Sequence, residues 1–350
     1  MKARSMKKGM LVVSAKAMVG LYVTANIALF GIFGAGCTSN PIHEHPATAN
    51  YELHEWGVLR IPYCSTEKPS LTTITPSHPQ IEIREPVIYV HSKDPKLDYF
   101  DLEVRLNPDS VLEITKTYPE ADVNGKVLRW DDIAVKYDQG IKPIVTNAKE
   151  MDSQSIDPNL VKALSTGDAN TLEYKNTASK FLLYEGLMQY ENAVTATPTD
   201  LENGPAVIIK NNNSYPIYTV FYCTSGSFGY VSRILAGEEK SQYLVSTNYL
   251  KDRIFIEDLM AQGFTESESS AFSSLWLEEF KWSAYFEYPS KTVFLIPIPL
   301  NKLTYRIPRE EYDNIASVTA TPSPDKFYRA LYVLVEMLDK KMQAEINSPH

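Results

Sequence analysis

The chain has 350 residues, with 34 Lys and Arg against 43 Asp and Glu, a formal net charge of −9 and 44% hydrophobic residues. That length suffices for one large or two ordinary domains. An acidic balance without clustered Lys or Arg excludes nucleic acid as a partner and argues against an anionic membrane face, because basic patches hold both.

The first 37 residues read as an export signal. Lys2, Arg4, Lys7 and Lys8 precede an apolar run over 17–33, and small residues then lead to Cys37. Basic, apolar, then small is the order of a secretory signal. Ala35 and Gly36 suit a lipoprotein cleavage box, in which the thiol of Cys37 would take a diacylglyceryl group; Gly34 departs from that pattern. Lipidation at Cys37 is the expectation. An uncleaved anchor helix stays open, since the run approaches the roughly 20 residues that span a bilayer. Both place the body outside the cytoplasm, tethered to a cell-envelope membrane. Without residues 1–36, which hold five Lys and Arg and no acid, 29 basic residues face 43 acidic ones, a net charge of about −14.

Residues 37–50 form a polar tether. Its His43 and His45 could bind metal adventitiously, but a tether is a poor scaffold for catalysis. Strands are expected at 57–62, 81–91, 102–106 and 127–130, with Asn124-Gly125 as a turn before the last. The polar stretch 138–170 reads as an insertion with one short helix at 158–164. A second strand cluster covers 180–184, 206–210 and 215–222. The helical region 252–282 is split by Gly263. Thr265 and Glu268 form a capping box, and Phe272, Leu275, Trp276 and Phe280 share one face of the second half. A strand at 292–299, a Pro-rich connection through Pro322 and Pro324, a strand at 328–335 and a helix at 339–346 complete the pattern. Many short Val, Ile and Tyr runs broken by Pro make this an α+β chain. Its expected parts are a β-sandwich-like domain over 51–245 and an α+β segment over 246–350 packed on it.

Two cysteines follow Cys37. Outside the cytoplasm Cys64 and Cys223 could pair as a disulfide, or stand as one buried and one idle thiol; spacing does not choose. No Cys-x-x-Cys supports a thiolate metal site.

His54-Glu55-Trp56-Gly57 is the stretch most able to carry chemistry. His54 would act as a metal ligand or general base with Glu55 as the second group. On a flat strand, however, neighbours point to opposite faces and cannot serve one centre. The plainer alternative is a strand-start cluster in which Trp56 buries, His54 bonds a carbonyl and Glu55 pairs with an arginine. The absence of ligand spacing weighs for that alternative. His91 ends the strand after Val87, so it would approach His54 if the two strands pair, making a two-histidine metal site. His78 lies in a loop. Asp131-Asp132 has too few neighbouring oxygen ligands for calcium. The zincin, nucleophile-elbow, Walker and dinucleotide signatures are absent, and no cofactor is specified.

In order along the chain, His54-Glu55-Trp56-Gly57, Glu85-Pro86-Val87-Ile88-Tyr89, Lys180–Gly186, then Gly263, Glu268, Ala271 and Trp276, then Pro322, Pro324 and Arg329 resemble a family of uncharacterised exported proteins opening on His-Glu-Trp-Gly-Thr. Val58 stands in place of that Thr, and Glu185 in place of an Arg. The resemblance implies export and a β-rich body, and no activity. Three functions follow as expectations. The first is a lipid-anchored envelope module that is structural or binds a glycan or envelope protein. The second is a hydrolase using His54 and Glu55, with or without metal. The third is a secretion or assembly accessory.

Overall fold

The computed structural model describes residues 50–62, 81–137, 156–166, 168–224, 226–247, 253–281 and 300–338. The export signal, Cys37, His43, His45, Cys64 and His78 lie outside these residues, as do the strand expected at 292–299 and the helix at 339–346. The described residues all belong to one compact unit, His43–His350. Among them no helix is long and apolar enough to cross a membrane.

The strands in chain order are β1 (Tyr51–Ile61), β2 (Ile81–Ser92), β3 (Tyr99–Leu106), β4 (Val111–Tyr118), β5 (Asp122–Asn124), β6 (Val127–Lys136), β7 (Thr171–Tyr174), β8 (Thr177–Ser179) and β9 (Leu182–Met188). They continue as β10 (Val194–Leu201), β11 (Gly204–Asn211), β12 (Ile217–Cys223), β13 (Ser227–Ile234), β14 (Glu239–Tyr243), β15 (Val245–Ser246), β16 (Leu300–Arg306), β17 (Ala316–Thr321) and β18 (Lys326–Leu338). Among the described residues four helices join them: α1 (Pro158–Leu164), α2 (Arg253–Ala261), α3 (Glu266–Lys281) and α4 (Arg309–Ile315). A nine-stranded sheet runs β15-β13-β12-β16-β18-β1-β2-β9-β4, beside a sheet built on β17-β3-β6-β7-β8 and a three-stranded sheet β10-β11-β14. The α+β class, with a β-rich sandwich-like body and a C-terminal helix-containing segment, is therefore what the chain adopts. The segment after residue 246 is not confined to one flank: β18 pairs in parallel with β1, and β16 pairs with β12.

The alternation along β1 divides the core in two. Leu53, Leu59 and Ile61 join a cluster that packs one face of the large sheet on Leu102, Val104, Leu128 and Trp130 of the second sheet. Trp56 and Val58 join a cluster that packs the other face on Leu164, Phe255, Phe272, Trp276 and Phe280 of the helices. A period of two sends successive side chains to opposite layers, and here both layers are buried.

The helix α3 lies along that second face. Its capping box forms as the sequence indicates: the Glu268 N–H donates to Thr265 Oγ1 at 3.2 Å, and the Thr265 N–H donates back to Glu268 Oε2 at 2.9 Å. Phe272 meets Trp56 edge-on with ring centroids 5.1 Å apart. Burial of an indole with its aromatic partner is worth several kcal/mol, so Trp56→Ala would cost about 3–5 kcal/mol. The split between α2 and α3 falls where Gly263 takes φ +103°, and a Cβ there would collide with the Tyr328 ring. Asp258 fastens α2 to the sheet, accepting from Arg306 Nε at 2.7 Å and from Tyr332 at 2.5 Å.

One bulge shapes the region. Val58 pairs with Arg84 but Trp56 pairs with Val87, so Gly57 faces one residue too many. Glu85 takes up the excess with φ 52°. A Cβ on Gly57 would stand 3.1 Å from Pro86 Cα, which is why a glycine serves there. The bulge reverses which β2 side chains face the helices, so Ile83 lies in one core layer and Val87 and Tyr89 in the other.

Candidate metal centre

The antiparallel pairing of β1 with β2 sets Glu52 opposite His91 and His54 opposite Tyr89. Glu52, His54 and His91 thus share the face that α3 covers. His54 and His91 become diagonal neighbours, with ring centroids 4.4 Å apart. The capping box places Glu268 in the first turn of α3, directly over both rings. His54 Nδ1 lies 2.7 Å from Glu268 Oε2, and His91 Nε2 lies 2.8 Å from Glu268 Oε1. One carboxylate therefore bridges two imidazoles, and the candidate ligand atoms of His54, His91 and Glu268 all lie within 4.8 Å of one another.

The centre is nearly closed. His54 is 2% exposed and Glu268 0%, while the His91 side chain keeps 17%, so access is along His91. The rings of Tyr328 and Phe264 stand edge-on to His54 at 5.1 and 5.6 Å. The absence of a side chain at Gly263 lets Tyr328 sit there. Burial alone would raise the Glu268 carboxyl, but the hydrogen bonds and charges of His54 and His91 hold it down at about 2. Burial would likewise lower His91, and the Glu268 carboxylate instead raises it. A persistent carboxylate between two imidazoles is a donor set for a borderline metal such as zinc, which takes His nitrogen and carboxylate oxygen at about 2.0–2.2 Å.

Glu55 leaves the opposite face of β1. It is fully buried and its register partner on β18 is Arg329. Arg329 Nε donates to Glu55 Oε2 at 2.5 Å, while Tyr184 and Tyr312 donate to Oε1 at 2.8 and 2.9 Å. Arg329 also bonds Asp313 and the Ala316 carbonyl, and its guanidinium lies 3.9 Å over the Tyr312 ring. His54 and Glu55 therefore serve two different clusters, and the carboxylate that joins His54 is Glu268. The sequence singled out Glu268 as a capping residue and as one position of the resemblance, not as a ligand. Its other role depends on a contact across 214 positions, and no local pattern carries that.

The expected approach of His91 to His54 is present in the structure. Cys223 is a free, buried cysteine, and burial pushes its thiol up to about 11. Asp132 N–H donates to Asp101 Oδ1 at 2.7 Å between the paired strands β6 and β3 of the second sheet.

No family model matches the chain, and no curated protein matches it. It is similar to the solved yeast delta-COP-I mu-homology domain complexed with the Dsl1 WxWxV peptide, at 9% identity and a TM-score of 0.30 over 82% of this chain and 96% of that one. It is similar to the Fcho1 mu homology domain of Danio rerio with bound Eps15 peptide, at 6% identity and 0.29 over 83% and 97%. A further yeast delta-COP-I mu-homology domain aligns at 10% identity and 0.31 over 82% and 95%. The peptides belong to those proteins, and likenesses this weak assign nothing to this chain. The findings do correct the sequence reading. The family of exported proteins opening on His-Glu-Trp-Gly-Thr is not recovered, and the structures that are recovered are mu-homology domains. The membrane-anchored envelope lipoprotein of the sequence reading, its extracytoplasmic location and its glycan, envelope-protein and lipid partners find no counterpart among the matches.

Proposed function

We propose that this protein is a metal-dependent hydrolase whose divalent ion, zinc by its donor set, is held by His54, His91 and Glu268. The observation that carries the proposal is the convergence of those three side chains, from β1, β2 and α3, with ligand atoms within 4.8 Å of one another. Zinc sites that only support a fold take four protein ligands, often cysteines, whereas two histidines and one carboxylate leave a place for water. Metal bound there would lower the pKa of that water toward neutrality and polarise a carbonyl or phosphoryl oxygen. His54 is then a ligand rather than a base. Glu55 supports the fold, since Arg329 and two tyrosines occupy its oxygens on the far side of β1.

The test is metal content of the full chain after zinc loading and gel filtration, beside His91→Ala and Glu268→Gln, followed by ester and phosphoester hydrolysis with and without chelator. One zinc per chain, lost in both variants, and a chelator-sensitive activity are expected. A parent that retains no zinc would overturn the proposal. Zinc retained without hydrolysis of any class would leave a metal clamp between α3 and the sheet in place of an enzyme.

A further inference from the structure

A metal-ligating imidazole has two nitrogens, and the one turned away from the metal carries the proton. What that second nitrogen bonds to fixes the tautomer and the ring orientation. His54 turns Nδ1 to Glu268. Its Nε2 is buried and has no partner at hydrogen-bond length. The group facing it is Glu52, with Oε2 at 3.5 Å, two positions earlier on the same face of β1. Glu52 is itself held: Lys326, its register partner on β18, donates from Nζ to Oε1 at 2.6 Å. One oxygen is thereby engaged, and the other stands within roughly 0.6 Å of hydrogen-bond length from His54. Glu52 is only partly buried, at 33% exposure, so a small side-chain rotation closes that gap. His91 has the matching arrangement, with Nε2 on Glu268 and a further bond to the Asp168 backbone.

We infer that Glu52 is the positioning residue of the centre: it accepts the Nε2 proton of His54 and so presents unprotonated Nδ1 to the metal, with Lys326 setting the orientation of the Glu52 carboxylate. The inference rests on the metal reading above and adds a residue to it. Glu52 does not touch the metal, so its removal leaves all three ligands in place. What is lost is the bias toward the binding tautomer and the basicity that a carboxylate behind an imidazole confers.

Zinc affinity, measured by chelator competition on the full chain and on Glu52→Ala and Glu52→Gln, tests this, together with nitrogen chemical shifts of His54 in the zinc-loaded parent. Glu52→Ala is expected to weaken zinc binding roughly 10–100-fold. Glu52→Gln, whose amide oxygen still accepts, is expected to recover part of that loss, and the parent shifts should report a protonated Nε2. A purely structural role would lower the melting temperature of the metal-free protein and leave the affinity alone. Binding by both variants within about twofold of the parent, or His54 ligating through Nε2, overturns the inference. If Glu52→Ala fails to fold, Glu52→Gln and the parent shifts decide alone. A parent that binds no zinc removes the metal reading and this inference together. Zinc bound by the parent and lost in His91→Ala, yet indifferent to Glu52, removes this inference only.

Discussion

His54 and Glu55 are neighbours in sequence, yet each anchors a buried polar cluster in a different layer of the molecule. Behind β1, the Glu55 carboxylate meets Arg329, a cation that cannot lose its proton, and its remaining lone pairs go to two tyrosines. In front of β1, the Glu268 carboxylate meets two imidazoles. Imidazoles can shed a proton or exchange it for a metal within the ordinary pH range. The first cluster is therefore locked in one state, while the second can change its charge and its occupant. The difference teaches that a buried carboxylate is not by itself a site. What matters is whether its partner is replaceable.

The sharpest way to break this comparison is to remove the partner on the locked side. Arg329→Met leaves Glu55 charged and enclosed, and should cost about 3–5 kcal/mol of stability in urea unfolding. The double variant with Glu55→Gln should lose clearly less than the sum of the two single losses, because no orphan charge remains. Glu268→Gln on the other side should cost only about 1–3 kcal/mol, since both imidazoles can become neutral. If Arg329→Met cost no more than Glu268→Gln, the distinction between locked and replaceable partners would fail.

A third buried carboxylate sharpens the comparison, because burial outweighs the relief that Arg84, Lys116 and Trp276 give it. Glu85 occupies the β2 bulge, and burial pushes it up to about 7 against the partial relief of Arg84. Its folded pKa lies above its unfolded value, so the native state holds the extra proton between about pH 4.5 and 7. Stability should therefore fall as pH rises through that window, by up to about 3 kcal/mol, and stay low above it. Unfolding of the parent and of Glu85→Gln compared at pH 5 and pH 8 isolates this term. A difference that does not change with pH would mean that Glu85 is ionised in the native protein.

How legible all this was in the sequence follows from the range of the contacts. The helix α1, the break at Gly263 and the Thr265–Glu268 box are set by residues a few positions apart, and the sequence carries them. Likewise Ile81, Ile83, Val87 and Val90 declare a strand. Strands β4, β10 and β14 are mostly polar on one side, with alternating exposure such as that of Glu239–Tyr243, and they become strands by pairing rather than by composition. Helix α4 was hidden in what reads as a Pro-rich connection. At the centre, His54 and His91 could be guessed from a strand pairing. Glu268 could not, because only the packing of α3 along β1 brings a capping residue over two histidines. Arg329 was visible only as one position in a weak resemblance, although an arginine partner for Glu55 was the plainer of the two readings of that stretch.

The replaceable side makes its own, smaller prediction. Zinc at about a hundred times its dissociation constant should stabilise the parent by about 2.7 kcal/mol, read as a rise in melting temperature. His91→Ala should abolish the rise, whereas Glu55→Gln should keep it even though it lowers the starting stability. A rise that survives His91→Ala would put the metal elsewhere and dissolve the contrast between the two faces of β1.

The smallest effect separates the two tasks of Glu268. Its N–H is capped by Thr265 Oγ1, while its carboxylate bridges the histidines and also accepts the Thr265 N–H. Thr265→Ala removes the hydroxyl but keeps the backbone donor, so the helix loses a cap worth about 1 kcal/mol while the carboxylate stays aimed at His54 and His91. The zinc-induced rise in melting temperature should then equal that of the parent, from a slightly lower base. A smaller rise would mean that the hydroxyl helps to hold the carboxylate over the histidines, so that the capping box is part of the metal centre as well as the start of a helix.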